Sequence, residues 1–173
     1  KELLDRYRLE KLPLVDDGFY LRGLITSKDI ENLEKYPLAN KDAGGRLRVG
    51  AAIGATGDYL ERAADLIKAK ADVIVLDIAN SQSDVAKNAV VEIRKRFPDM
   101  ELVVGNILLS KAVEVFKEFG VNGFKVGLGP GSACTTRKNT NIGIPLAQGV
   151  YDCSMASDVP ICADGGIKSD GSI

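Results

Sequence analysis

An α/β fold built from consecutive parallel strand and helix units, an incomplete (β/α)₈ TIM barrel, is predicted by three features of the sequence. Short, nearly continuous apolar runs recur along the chain, as parallel strands covered on both faces require. Amphipathic helical stripes separate them. Polar or glycine residues stand at the carboxyl end of nearly every run: Asp77, Asn106, Gly127 to Gly131, and Asp164 to Gly166. A barrel gathers such ends on one face, where a single ligand touches them all, whereas an open sheet spreads them along a crevice. Five runs cannot close an eight-stranded wall, so the barrel is expected to be incomplete in this chain.

The elements follow in order. LPLVDD and LRGLITSKDI read as two short strands around an exposed DDG turn, and the charged segment ENLEKYPLANKDAGGR reads as a linker. Thr26 and Asp29 suit either a helix start or contact with a ribose. LRVGAAIG from Leu47 is the first strand of the main fold. Leu60, Ala63, Ala64, Ile67 and Ala71 then form one helical stripe, with Asp58 and Glu61 as a cap and its reciprocal partner. VIVLD from Val73 is the next strand, and Ala86, Val90, Ile93 and Phe97 form a second stripe that Pro98 ends. After LVVGN from Leu102, Ser110 is expected to cap a helix whose Val113, Phe116 and Phe119 face one way and which Gly120 closes. GFKVG from Gly123 and PICADGG from Pro160 complete the strands; Cys153, on a helical pattern, and Cys162, inside a strand, are assigned to packing.

Composition narrows the function. With 173 residues, 45% hydrophobic and 27% charged, the chain supports one sizeable core. A net charge of −1 argues against a nucleic-acid or anionic-membrane surface. No apolar run approaches the roughly 20 residues of a membrane span. Three separated cysteines, odd in number, form neither a disulfide framework nor a CxxC metal pair, which fits a reducing cytoplasm. There is no histidine, which excludes Ser-His-Asp and Cys-His sites and histidine-based zinc sites within the chain. The chain starts at lysine and stops in mid-pattern, so a piece of a longer polypeptide is expected.

The stretch VGLGPGSACTTR at 126–137 concentrates the chemistry. Gly127, Gly129 and Gly131 let the backbone approach a bulky partner, Ser132 and the threonines add hydroxyl donors, and Cys134 adds a nucleophile. Two readings stand side by side: an anion cradle with a thiol on its rim, or a tight turn around a buried small thiol.

KVGLGPGSACTTR closely resembles the catalytic loop signature of the IMP dehydrogenase and GMP reductase family. LRVGAA, VIVLD, VVGN and ICADGGIKSDGSI match that family in the same order, and LPLVDD with GLITSKDI is similar to the end of the regulatory CBS module that many IMP dehydrogenases insert. The resemblance implies a CBS remnant over 1–31 and a partial barrel over 32–173 that carries about strands 3 to 7 of the eight. It makes Cys134 the nucleophile toward purine C2 and Thr136 its helper; Ser132, Gly165 and Gly166 bind the phosphate region, and Asp164 the ribose hydroxyls. Asp77, Asn106, Lys125 and Gly127 fall on the side of the NAD cofactor. The carbonyls of Gly129, Gly131 and Cys134 match those that hold a potassium ion. The family usually forms homotetramers. Its mobile flap with an Arg-Tyr pair is not in this sequence, so the chain alone is expected to be incomplete as a catalyst.

The resemblance implies one of two reactions, NAD-dependent oxidation of IMP to XMP or NADPH-dependent conversion of GMP to IMP. The CBS-like opening and YPLANKDAGGRLRVGAA favour the dehydrogenase, whereas LDIANSQS and TTRKNT are similar to the reductase's LDVANGYS and TTRKKT. NIGIPLAQG departs from both families' GVGxPQ. A purine-nucleotide sensor without catalysis is the alternative from another class.

Overall fold

A computed structural model describes residues 1–172. The chain divides into two compact units between Arg48 and Val49. The boundary expected at residue 31 falls inside a helix.

The first unit contains helix α1 (Glu2–Tyr7), strands β1 (Lys11–Val15) and β2 (Leu21–Thr26), and helix α2 (Ser27–Lys35). The two strands pair antiparallel. Asp16 holds their turn, its carboxylate accepting from the backbone of Gly18 and Tyr20 at 3.0 Å each and from Arg22 at 2.7 Å. The Thr26 and Asp29 pair goes to the helix start. The Thr26 hydroxyl accepts from Asp29 N at 3.1 Å while the Asp29 carboxylate accepts from Thr26 N at 2.9 Å, a reciprocal cap. ENLEK, read as linker from its charge, is the body of α2; this cap nucleates a helix that charge alone does not signal. Leu4 is the only fully buried hydrophobic residue among those described in this unit.

The second unit runs β3 (Gly50–Ile53), α3 (Tyr59–Lys68), β4 (Val73–Asp77), α4 (Asp84–Arg96), β5 (Glu101–Ile107), α5 (Ser110–Lys117), β6 (Gly123–Val126), α6 (Thr136–Thr140), α7 (Leu146–Ala156) and β7 (Ile161–Ala163). A 3₁₀ turn, Asp170–Ser172, follows. All strands are parallel and their order in the sheet is their order in sequence, β3-β4-β5-β6-β7. A doubly wound sheet reverses direction at a switch point; this one never does. It is therefore an arc of a β/α barrel wall, as expected.

Strand alternation divides the sheet's faces. Ile53, Ile74, Leu76, Leu102, Val104, Phe124 and Val126 are buried against Ala63, Ala86, Val90, Ile93, Val113, Phe116 and Cys153 of the helices. Val73, Val75, Val103 and Lys125, on the other face, are half-buried. Cys153 is packed as expected, but Cys162 is exposed. Its register partner is Lys125, so it points away from the helices, and β7 is the last strand of the described sheet. An apolar run reports burial of a strand, not which residues lack a neighbour.

Two caps differ from expectation. Asp58 precedes α3 without a side-chain cap bond, its φ of −86° and ψ of 24° lying outside the extended region that aims a capping oxygen at the first turn. Glu61 instead pairs with Arg96 at 3.1 Å. Ser110 is the first helical residue of α5 rather than its cap, because the extended residue is Leu109. The cap that does form on α4 is Ser83, whose hydroxyl accepts from Ala86 N at 3.3 Å. Ser83→Ala should cost about 1 kcal/mol, read as a lowered thermal midpoint. At the opposite end of α4, Arg94 donates to the carbonyls of Met100 and Gly120 and to the Asn122 side chain, tying the helix to the loops that enter β5 and β6. No helix among the described residues is long and apolar enough to cross a membrane.

Candidate active site

A cleft of about 280 Å³ lies at the carboxyl ends of β4 to β7, lined by Asp77, Asn106, Gly127, Gly129, Gly131, Cys134, Thr136, Asp164 and Gly165 among others. Ligand sites of barrels occupy this face. At the small end of the usual range for ligand pockets, this volume fits part of a nucleotide rather than a nucleotide with a dinucleotide.

Each strand end supplies one part. Asp77 ends β4, Asn106 lies near the end of β5, the glycine loop follows β6, and Asp164 follows β7. The loop takes its path because residues 127 and 129 have no side chain. Gly127 has φ +141° and a Cβ there would strike the Asp164 carbonyl; Gly129 has φ +87° and a Cβ would strike the Arg137 stem. Asp164 N donates to Val126 O at 2.8 Å, which fixes the next strand's end beside the loop.

The Cys134 thiol is partly exposed on the cleft wall, and Cys134 N donates to Gly131 O at 3.0 Å. Hydrogen bonds from the Thr136 side chain and its backbone N–H, helped by the N–H groups of Gly129 and Arg137, draw the thiol below its ordinary range against a weaker opposing effect of burial. These donors favour thiolate, the nucleophilic form. The tight-turn reading with a sealed thiol is thereby set aside. Thr136→Ala should move the alkylation rate of Cys134 by iodoacetamide to higher pH: losing the hydroxyl raises the thiol's pKa, and the thiolate then develops later. An unchanged pH profile would remove Thr136 from this role.

Opposite the thiol-bearing loop is a polar network. Asn106 Nδ2 donates to Asp164 Oδ2 at 2.7 Å and to Gly127 O at 2.6 Å, and Lys125 Nζ lies 3.1 Å from Asp164 Oδ2 and 2.9 Å from Asp77 Oδ1. Both partners of the Asn106 amide are acceptors, so its nitrogen faces them, and Oδ1 is left buried without a donor among the described residues. Burial pulls the Asp164 carboxyl upward, but Asn106 and Lys125 outweigh it and hold it below its usual range. Burial likewise pulls Lys125 down, and the two carboxylates outweigh it, so the ammonium is retained. Oδ2 is engaged twice; Oδ1 of Asp164 has no recorded protein partner among the described residues and is open to a ligand's hydroxyls.

Most of the expected residues thus converge, but Lys125 is not itself in the lining and meets the cleft through Asp77 and Asp164. Ser132 is exposed and does not line the cleft, and Gly166 backs onto Pro130 instead. Ser81 carried no signal in the sequence. It is fully buried, its hydroxyl donating to Gly105 O at 2.7 Å and its N–H to Asn106 O at 2.9 Å, and it pins the loop after β4 to the end of β5. An isolated serine in a polar loop offers nothing to distinguish it from a solvated one.

Sequential parallel strands and a thiol presented on a glycine loop at their carboxyl ends define a β/α-barrel protein with a cysteine on the face where barrels bind their ligands. Residues 25–173 match the IMP dehydrogenase / GMP reductase domain. The chain is 47% identical to inosine-5'-monophosphate dehydrogenase of Nitrosopumilus maritimus, over 99% of this chain and 37% of that protein. It is 44% identical to the Bacillus subtilis enzyme of that name, over 100% of this chain and 36% of the relative. The structure of GMP reductase from Trypanosoma brucei in complex with guanosine 5'-monophosphate superposes with a TM-score of 0.82 at 36% identity, over 98% of this chain and 36% of that one. The chain therefore belongs to the IMP dehydrogenase and GMP reductase family, and it spans a little over a third of the length of the curated relatives it matches.

Proposed function

We propose that the protein containing this chain is an IMP dehydrogenase that oxidises IMP to XMP with NAD through a covalent adduct on Cys134. The observation that carries this reading is a partly exposed thiol sharing one cleft with the Asp164 carboxylate. The Cys134 thiolate forms a bond to C2 of the purine while the C2 hydrogen departs with its electron pair; the thiol proton goes to solvent. NAD, when bound, accepts that hydride. Water then adds at C2, and cleavage of the C–S bond releases XMP and restores the thiol. Thr136 holds the thiolate and helps place the water. Asp164 Oδ1 accepts from the ribose hydroxyls, a charge-assisted pairing. Gly165, in the cleft lining, serves the phosphate, together with Ser132 and Gly166, which lie outside that lining and are assigned from the family resemblance; Asp77, Asn106, Lys125 and Gly127 serve the cofactor side.

Potassium would be held by the carbonyls of Gly129, Gly131 and Cys134. Backbone carbonyl oxygens are the donors that hard cations take. Gly131 O already accepts from Cys134 N and keeps a second lone pair. The ion would brace the loop that carries the thiol. We also assign residues 1–31 to the end of a CBS module, the assembly to a homotetramer and the location to the cytoplasm, with neither nucleic acid nor membrane as partner.

GMP reductase is the second reading, favoured by the GMP-bound structural neighbour and by Ala79 and Asn80 after β4, where Ala79 lines the cleft. Supplying the full-length protein with IMP and NAD, then with GMP and NADPH, decides between them. We expect reduced nicotinamide to accumulate in the first mixture and to persist unconsumed in the second; the converse makes the protein a reductase, and silence in both makes it a sensor.

A further inference from the structure

Lys125 reaches across a whole strand. It stands on β6 and Asp77 on β4, with β5 between them, and the residue level with both is Gly105, paired in register with Asp77 on one side and Lys125 on the other. A Cβ on Gly105 would come within 2.6 Å of Lys125 Cβ and 3.1 Å of its Cε. The bare backbone at that point is the lane through which the lysine stem passes. At its end one ammonium meets two carboxylates from opposite sides, Asp77 Oδ1 at 2.9 Å and Asp164 Oδ2 at 3.1 Å. An ammonium has three donors, so one remains without a recorded partner among the described residues.

We propose that Lys125 is a positioning residue that joins the two ligand subsites, a shared cation laid over Gly105 that orients Asp164 for the ribose and Asp77 for the cofactor. This rests on the reading of the cleft given above. Without the ammonium, two like charges face each other across a partly buried gap, and each carboxylate loses its fixed orientation. With it, Oδ2 of Asp164 is saturated by Lys125 and Asn106, which turns Oδ1 toward incoming hydroxyls. The titratable groups along this face are Asp77 ending β4, Glu101 at the far end of β5, Lys125 on β6, Cys162 on β7 and Asp164 just after it; the Cys134 thiol lines the same cleft.

The test is made on the full-length protein, measuring the dissociation constant of IMP against pH and the KM for NAD, with thermal midpoints recorded alongside. Lys125→Met keeps the stem and removes the charge. It should weaken IMP about tenfold, raise the KM for NAD, and move the acid limb of IMP binding to higher pH, because Asp164 then takes up a proton more readily. Lys125→Arg should keep the limb where the unaltered protein has it. A purely structural lysine would lower the thermal midpoint and leave the limb in place, and that result overturns the proposal. Should Lys125→Met fail to fold, Gly105→Ala decides, because it keeps every charge and obstructs the lane: a several-fold rise in the KM for NAD supports the coupling and an unchanged one refutes it. Failure of the unaltered protein to bind IMP would instead sink the functional reading, so the two failures are distinct.

Discussion

Cys134→Ala in the full-length protein should abolish turnover while leaving IMP affinity within a few-fold of the unaltered enzyme. The thiol is the only cysteine sulfur on the cleft wall among the described residues, and this chain has no histidine to activate another group. On the proposed mechanism its removal deletes the bond-forming atom rather than a binding contact, since that reading gives nucleotide binding to the Asp164 carboxylate and the glycine loop. The backbone should be undisturbed: Cys134 is partly exposed, and the hydrogen bond from its N–H to Gly131 O survives in alanine. Steady-state rates set beside calorimetric binding of IMP check both halves. A retained rate would mean that the reaction does not pass through this sulfur.

Asp164→Ala should weaken nucleotide binding by about 1.5–3 kcal/mol, roughly ten- to a hundredfold in the dissociation constant, through loss of charge-assisted hydrogen bonds to the ribose. Two effects add on the protein side. Asn106 Nδ2 loses one of its two acceptors, and Lys125 is left to Asp77 alone. Asp164→Asn separates charge from shape: it keeps the oxygen but places a second donor near Lys125 and Asn106, so it too should bind poorly. The pH dependence has a definite sign. The carboxyl is held below its ordinary range in the folded protein, so its contribution is complete above the ordinary carboxylate value and fades as pH falls through the lowered one. An affinity unchanged in Asp164→Ala would place the ribose elsewhere.

The strands and the residues at their carboxyl ends were legible because two periodicities write them directly into the chain. A strand covered on both faces must be apolar throughout, as in VIVLD, and whatever polar residue follows marks the rim, as Asp77 and Asn106 do. Local capping was less legible. Asp58 and Glu61 have the spacing of a reciprocal cap, but the backbone at Asp58 and the arrival of Arg96 from α4 are tertiary facts. Cys162 shows the same limit at an edge: nothing in ICADGG says which neighbour is present to cover it. The Lys125 bridge lies further still from the sequence. KVGLG identifies a lysine embedded in a strand and VVGN a glycine at the end of another, yet only the parallel register places Gly105 level with Lys125 and lets the side chain pass. Ser81 and Arg94, which pin loops by bonds to main-chain carbonyls, carry no pattern because their partners are common to every residue.

The central claim is that the Cys134 sulfur becomes bonded to the purine during turnover. Rapid acid quenching of the full-length protein in the presence of IMP and NAD, followed by proteolysis and mass spectrometry of the peptide that carries residue 134, measures that bond directly. The account predicts a nucleotide-sized mass increase on this peptide, absent without NAD and absent in Cys134→Ala. Continued formation of XMP with the Cys134 peptide unmodified at every quench time, or with the added mass on Cys153 or Cys162, would contradict it.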